Sequence, residues 1–392
     1  MGKHKKRSNG ESTYRQRPNG TWEVRYTAEY DPETRKAEQR SLYGKTKAEV
    51  TAKLTNKQKL LQQGYSQEFE NLLVSEWMDE YLWKIKKPQV KPKTFTGYEE
   101  KIRLYIHPSK LGEMKIQEVR RVHIQMFIED MTQNNHSAFI IRATYGVLRN
   151  AFNEAVRRDI LPVSCVKNIS LPKADPKPVK ILSVEDQRLF MDAIKKHRLE
   201  PAFIVAITTG IREGELTALK WDDYDIEKGI ISITKNAVRV PKYDVKTHEK
   251  TGTQIIVQDT PKTAAGKREI PLLPIAIDAL RNHRTKQNIE RLKAGTKYVN
   301  NGLIFCDEKG RLYDPKTFYT TLRKIMKNKG LGTIRFHALR HTFATRSLEQ
   351  EMSPKALQSL LGHETPEMVM HYQHILPEQA RVEIDKLSAV FQ

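Results

Sequence analysis

The spacing of apolar residues changes several times along the chain, and each change marks an element. From Thr13 to Thr27 polar and apolar residues alternate on both sides of Asn19-Gly20. Alternation is the strand period, and Asn-Gly supplies the positive φ of a tight turn, so a β-hairpin is predicted. Asp31-Pro-Glu-Thr34 reads as a second turn and residues 36–43 as a third strand. A helix follows over 46–63, with Thr46 as its N-cap and Gly64 just past its end. From about Leu72 to Asn168 the period is helical, with helices expected at 74–86, 93–106, 122–131 and 137–158 and with Pro88, Pro92 and Pro108 as punctuation. Ile141, Tyr145, Leu148, Phe152 and Val156 share one helix face, so that face is core.

The segment Leu171-Pro-Lys-Ala-Asp-Pro-Lys-Pro-Val-Lys180 holds three prolines and three lysines. Such a sequence is an extended, semi-rigid strap. The rest is mixed: helices at 183–198, 201–208, 212–219, 274–292, 314–328, 336–350, 354–361 and 366–374, and short strands at 229–234, 254–258, 268–271 and 303–306. The expected organisation is a three-stranded sheet with one helix (1–70), an all-α domain (71–170), the strap (171–180) and a mainly-α domain with a small sheet (181–392).

Charge then narrows the partner. Across 392 residues, 68 Lys and Arg oppose 47 Asp and Glu, a net charge of +21. A surplus of this kind suits phosphate neutralisation, so nucleic acid is the expected partner. No apolar run reaches the ~18 residues of a membrane span; residues 201–211 come nearest and are interrupted by Thr and Gly. Residues 1–9 are basic with no apolar stretch behind them, so no secretory leader is expected. Cys165 and Cys306 are too few for a disulfide framework or a cysteine-based zinc site, and read as buried small hydrophobes. In the first domain Arg15, Arg17, Arg25 and Arg40 share a predicted sheet face near Tyr14, Trp22 and Tyr26. A solvated face over an aromatic core explains them as well as a DNA-reading sheet does. Lys84, Lys86, Lys87, Lys91, Lys93, Arg103, Arg142 and Arg149 give the helical domain a basic surface, and Lys177 on the strap suits a phosphate backbone.

Three patterns in the last domain carry chemistry. In Thr208-Thr-Gly-Ile-Arg-Glu-Gly-Glu-Leu216 one helix ends at Gly210 and another opens near Arg212. A guanidinium at a helix start beside Glu213 and Glu215 is a held phosphate ligand, although a surface Arg–Glu pair reads the same way. In His337-Ala-Leu-Arg-His-Thr-Phe-Ala344, His337 and Arg340 lie at i and i+3 on one face, while Leu339 and Phe343 turn to the core and His341 points elsewhere. In Leu360-Leu-Gly-His363, Gly362 suits a helix C-cap that sets His363 in a turn, and Tyr372 comes nine residues later.

Together these patterns resemble the tyrosine recombinase (phage integrase) family, and the domain order resembles integrases of phages and conjugative transposons. The resemblance implies the DNA breaking-rejoining fold and a site-specific DNA recombinase, an integrase or excisionase of a mobile element with type IB topoisomerase-like chemistry. It implies that Arg212 and Arg340 clamp the phosphate, that His337 and His363 serve the transition state, and that Tyr372 is the nucleophile. Glu215 matches a supporting acidic position. The family's lysine lies on a hairpin that Asp259-Thr-Pro-Lys-Thr-Ala-Ala-Gly-Lys-Arg-Glu-Ile-Pro271 fits, with Lys262 the best match and Lys267 the runner-up. The first domain would bind arm-type DNA sites, and the other two would clamp a core-type site. Four copies would act on two duplexes, through a 3′-phosphotyrosine and a Holliday junction, at the nucleoid of a bacterial cell. An excisionase or a DNA-bending protein would assist. No metal or other cofactor is implied.

Each residue type suits the task. A phosphodiester gains negative charge as it is attacked, and guanidiniums donate paired N–H groups to its oxygens. A phenol with a reference pKa of ~10 is a poor nucleophile without cations or a base. Two rival readings exist. His337 with His341, and His371 with His374, have helical spacing suited to zinc, but no Glu follows His337 as a metalloprotease motif requires. A catalytically inactive DNA-binding regulator would share the basic domains. Beyond Pro377, Val382, Ile384, Leu387, Val390 and Phe391 form an apolar stripe that either caps its own domain or docks on a neighbouring copy.

Overall fold

The computed structural model describes residues 12–30, 37–62, 69–174, 180–259 and 266–365, without the side chains at 28–30, 37–38, 60 and 61. The predicted turn at 31–34, Gly64, Lys177, Lys262, the helix at 366–374, Tyr372 and the terminal stripe lie outside them. The chain forms two compact units, Met1–Asp175 and Pro176–Gln392.

The first unit opens with an antiparallel sheet, β1 (Thr13–Gln16), β2 (Trp22–Tyr30) and β3 (Ala37–Gly44), in that order. The loop between β1 and β2 closes through Gly20, whose φ of +80 needs a residue without a Cβ. Helix α1 (Lys47–Gln62) is capped by Thr46, whose Oγ1 accepts from Glu49 N at 3.2 Å. Val24 and Tyr26 of the sheet meet Val50 and Leu54 of α1 in a small core, with Tyr14, Trp22 and Leu42 at its edge.

The helical part contains α2 (Val74–Glu80), α3 (Pro92–Lys101), α4 (Arg121–Gln133) and α5 (Ala138–Arg157). Both α2 and α3 run on as π-helical turns, Tyr81–Lys86 and Ile102–Ile106. The long α5 buries Ile141, Tyr145, Leu148, Phe152 and Ala155, so the predicted row is the core face, with Ala155 replacing the half-buried Val156. Trp77 of α2 is fully buried and satisfies its indole N–H on Ala151 O of α5 at 3.0 Å.

In the second unit α6 (Val184–Ala193) is followed by α7 (Glu200–Thr209), which is apolar on every side and buried. After α8 (Glu213–Ala218) come β4 (Tyr224–Asp225), β5 (Ile230–Ile233) and, later, β8 (Arg268–Pro271), which form one antiparallel sheet. Between them β6 (Asn236–Tyr243) and β7 (Lys250–Gln258) form a separate hairpin. Helices α9 (Pro274–Ala294), α10 (Lys316–Asn328), α11 (His337–Glu349) and α12 (Pro354–Leu361) complete the unit. One large core spans α6, α7, the sheet, α9, α10 and the start of α11.

Three expectations are corrected. The strands β4 and β6 were not anticipated. Residues 303–306 form no strand: Leu303 bridges only to Lys220 and Cys306 only to Leu312, because this buried segment has no neighbouring strand to continue a ladder. The helix expected over 183–198 stops at Ala193, and Lys196 then takes a φ of +65, with its N–H held by the Glu200 carboxylate at 2.8 Å. Cys306 is buried, whereas Cys165 is partly open. Among the described residues no helix is long and apolar enough to cross a membrane.

Candidate active site

The site assembles from the ends of elements. Helix α7 closes at Gly210 with φ +63, and a Cβ there would lie 2.7 Å from both Leu361 Cδ2 and Phe343 Cδ1. Glycine thus lets α7 end directly against α11 and α12. Arg212 follows as the N-cap of α8. Its backbone N–H donates to Glu215 Oε2 at 3.0 Å, and its Nη1 donates to Glu215 Oε1 at 2.8 Å. Its Nη2 donates to Gly362 O at 3.2 Å. Arg340, one turn into α11, is 1% exposed and donates Nη1 to Gly210 O (2.8 Å) and Nη2 to Leu361 O (2.7 Å).

A third guanidinium completes the group. Arg268 of β8 is buried, grips both oxygens of Glu215 at 3.2 and 2.8 Å, and donates Nε to Leu360 O at 2.7 Å. Three successive carbonyls at the end of α12, those of Leu360, Leu361 and Gly362, therefore accept from three different arginines. The last carbonyls of a helix lack intrahelical partners and carry the negative end of its dipole, so cations suit them. Gly362 adopts φ +63, and His363 N donates to Gln358 O at 3.1 Å, which turns the chain sharply and buries His363.

His337 opens α11. Its ring meets that of His341 edge to face, with centroids 4.6 Å apart. His341 therefore does not point away, as expected from sequence; residues at i and i+4 share a helix face. One side of His337 is open to solvent. The protein packed around its ring, with the charges of His341, Arg340 and Arg212, still lowers its pKa to about 4. Burial and the charges of Arg340 and Arg212 lower His363 to about 3. Both imidazoles are therefore neutral at neutral pH. Burial pushes Glu215 up, but its hydrogen bonds to Arg268 and the charges of Arg268 and Arg212 outweigh this, so its pKa falls and it stays ionised. The group thus gathers three guanidiniums and two neutral imidazoles at the end of α12, with two of the guanidiniums paired to the buried Glu215 carboxylate, and this surplus of positive charge suits an anion that gains charge as it reacts.

Lys262 and Tyr372 are outside the described residues. Lys267 is exposed and precedes β8, where burial alternates from the inward Arg268. Arg268 was missed from sequence. Its signal was periodicity: β8 pairs Arg268 with Ile233 and Ile270 with Ile231, so strand alternation places an arginine in an apolar row. Among the described residues no three His, Cys, Asp or Glu side chains gather as a metal site would require.

The expected DNA-facing residues are dispersed. Arg15 and Arg17 donate to Glu23 Oε2 at 2.7 and 3.0 Å, and Arg25 lies 3.7 Å from Oε1, so these three surround one buried carboxylate. Arg40 does not share their face: it pairs with Tyr26, whose side chain turns toward α1. Lys93 is exposed in the first turn of α3. Arg103 pairs with Glu99 at 2.6 Å, and Arg142 Nε donates to Pro172 O at 2.9 Å.

Comparison with known proteins agrees with this architecture. Residues 180–379 match the phage integrase family, and residues 73–132 match the phage integrase N-terminal SAM-like domain. A tyrosine recombinase XerC-like protein of Caldanaerobacter subterraneus is 32% identical over 362 residues, 90% of this chain and 92% of its own. The fold is similar to the Tn1549 transposon integrase in complex with transposon right end DNA, with a TM-score of 0.65 and 23% identity over 81% of this chain and all of that one. It is also similar to a lambda integrase tetramer bound to a Holliday junction, with a TM-score of 0.57 and 19% identity over 94% of this chain and 96% of that one. The chain therefore belongs to the phage integrase family of site-specific tyrosine recombinases.

Proposed function

We propose that the chain integrates or excises a mobile element with Arg212, Lys262, His337, Arg340, His363 and Tyr372 as its catalytic set and Glu215 in support. The observation that carries this reading is the convergence of Arg212, Arg340 and His363 on the C-terminal end of α12, with His337 opening the helix that carries Arg340. The tyrosine expected nine residues beyond His363 continues from that same end.

Tyr372 Oη attacks the scissile phosphorus while His337 takes its proton. The Oη–P bond forms, the P–O5′ bond breaks, and the leaving 5′ oxygen takes a proton from Lys262. Arg212 and Arg340 donate to the non-bridging oxygens, where loss of one donor typically raises the barrier by ~3–4 kcal/mol. His363 hydrogen-bonds to the same phosphate. The phosphotyrosine retains the bond energy, so a 5′ hydroxyl of a second strand reverses the step and leads to a Holliday junction. The Arg15, Arg17 and Arg25 face contacts arm-type sites. Lys93, Arg103, Arg142 and Lys177 contact the core-type site. Four copies act together, with an excisionase or DNA-bending protein setting direction.

The test is incubation of the full chain with nicked duplexes bearing candidate element ends. The unmodified chain forms a covalent protein–DNA adduct. Tyr372→Phe binds the same DNA with unchanged affinity and forms none, because only the attacking oxygen is deleted. An adduct of ordinary yield from Tyr372→Phe would refute the nucleophile. No adduct from the unmodified chain on any candidate end would leave a DNA-binding regulator.

A further inference from the structure

Arg268 takes no part in the cleavage scheme above, yet it grips Glu215 and the backbone three residues before His363. It stands on the inward face of β8, in a row otherwise made of Ile231, Ile233 and Ile270. A charge buried there is costly unless it is fully paired. Arg268 is paired on every side: Nη2 to Glu215 Oε2 (2.8 Å), Nη1 to Glu215 Oε1 (3.2 Å) and to Gly266 O (3.2 Å), and Nε to Leu360 O (2.7 Å). An aliphatic residue would fill the core at lower cost, so the arginine answers a need outside the core.

That need lies at Glu215. Its carboxylate has two guanidinium neighbours, and Arg268 occupies both of its oxygens. Arg212 then meets Glu215 through one side-chain nitrogen, Nη1, and reaches Gly362 O with the other, Nη2. Without Arg268, Arg212 alone would neutralise the buried carboxylate, and forked pairing would draw its guanidinium down toward Glu215. We infer that Arg268 is a positioning residue for strand cleavage. Through Glu215 it aims Arg212 at the scissile phosphate, and through Leu360 O it holds the turn carrying His363. The inference rests on the reading of Arg212 as a phosphate ligand.

The test uses the full chain and compares two nicked duplexes in single turnover at saturating protein. One carries the ordinary scissile phosphate. The other carries a methylphosphonate there, which lacks one non-bridging oxygen and its charge. Arg268→Lys and Arg268→Met cleave the ordinary strand about 10–100-fold more slowly, the scale of a misaimed catalytic group. DNA affinity stays within about twofold, since phosphate contacts elsewhere supply most of it. On the methylphosphonate the penalty shrinks by about fivefold or more, as it does for Arg212→Lys, because less charge awaits the donor. The ratio between substrates is taken on one protein sample, so a partly misfolded variant cannot imitate it. Equal fractional losses on both substrates, or ordinary cleavage by both Arg268 variants, would overturn the inference while leaving Arg212 in place. Ordinary cleavage by Arg212→Lys would instead overturn the reading of the site itself.

Discussion

Glu213 and Glu215 stand two positions apart on α8 and hold protons with opposite strength. Arg268 and Arg212 keep Glu215 ionised. Glu213 accepts from Tyr319 N–H at 3.1 Å, but burial, together with nearby Asp314, pushes its pKa up to about 7. Its folded pKa thus exceeds the unfolded value of ~4.3. The folded chain binds the proton that the unfolded chain has lost, so this group's contribution is full below the unfolded value and declines as pH rises toward 7 and beyond. Glu213→Gln imitates the protonated form and keeps an acceptor for Tyr319. Solvent screening at this half-buried site reduces the effect to about 1 kcal/mol. At pH 8 the variant should therefore melt about 2–4 °C above the unmodified chain, with little difference at pH 4.5. Equal melting at pH 8 would show that Glu213 carries no such strain. Sequence alone separated these two residues only in part. Arg212, His337, Arg340 and His363 stand out as candidates because short patterns carry them, whereas the surroundings of Glu213 and Arg268 depend on which distant backbone closes over them.

At the scale of elements, α8, which Arg212 caps and which carries Glu215, lies close against β6. Gly214 makes this possible: a Cβ there would lie 2.2 Å from Asn236 Oδ1 and 2.5 Å from Ala237 O. In an unencumbered helix Gly→Ala gains about 0.5–1 kcal/mol, so the sign of the change is diagnostic. Gly214→Ala should destabilise the chain by about 1–3 kcal/mol, the cost of overpacking, because a strand carbonyl cannot step aside. It should also slow cleavage by displacing Glu215. A melting temperature equal to or above that of the unmodified chain would refute the close contact. The strand that makes this contact is one that the sequence concealed. β6 contains Pro241, which argues against a strand when read locally, and tertiary pairing with β7 overrides it at a hairpin that bulges between Lys242 and Tyr243. The helices were read more readily because their apolar rows are long. Their ends were less legible: α6 stops at Ala193, and the left-handed turn that follows falls on Lys196, a residue with no intrinsic preference for that region.

At the scale of the molecule, the proposed reaction exchanges four strands, and cutting all of them at once would break both duplexes. The copies must therefore sense one another near the nucleophile. The tail beyond Pro377 is placed for this in sequence, since its apolar stripe begins only ten residues after Tyr372. Docked on a neighbour, it would form a head-to-tail contact that closes a ring and links the neighbour's presence to the position of Tyr372. Folded back on its own unit, it would act as a plain cap. Deleting residues 380–392 separates these cases. If the tail docks on the neighbour, a single copy keeps its melting temperature and its affinity for core-site DNA. Assemblies on paired sites become scarce, and cleavage loses its order, seen as double-strand breaks in place of single nicks. If the tail is a cap, the melting temperature falls and core-site binding falls with it. We expect the first pattern. A deletion that assembles and exchanges strands normally would refute docking between copies and leave the roles proposed for Arg212, Arg340 and Tyr372 intact.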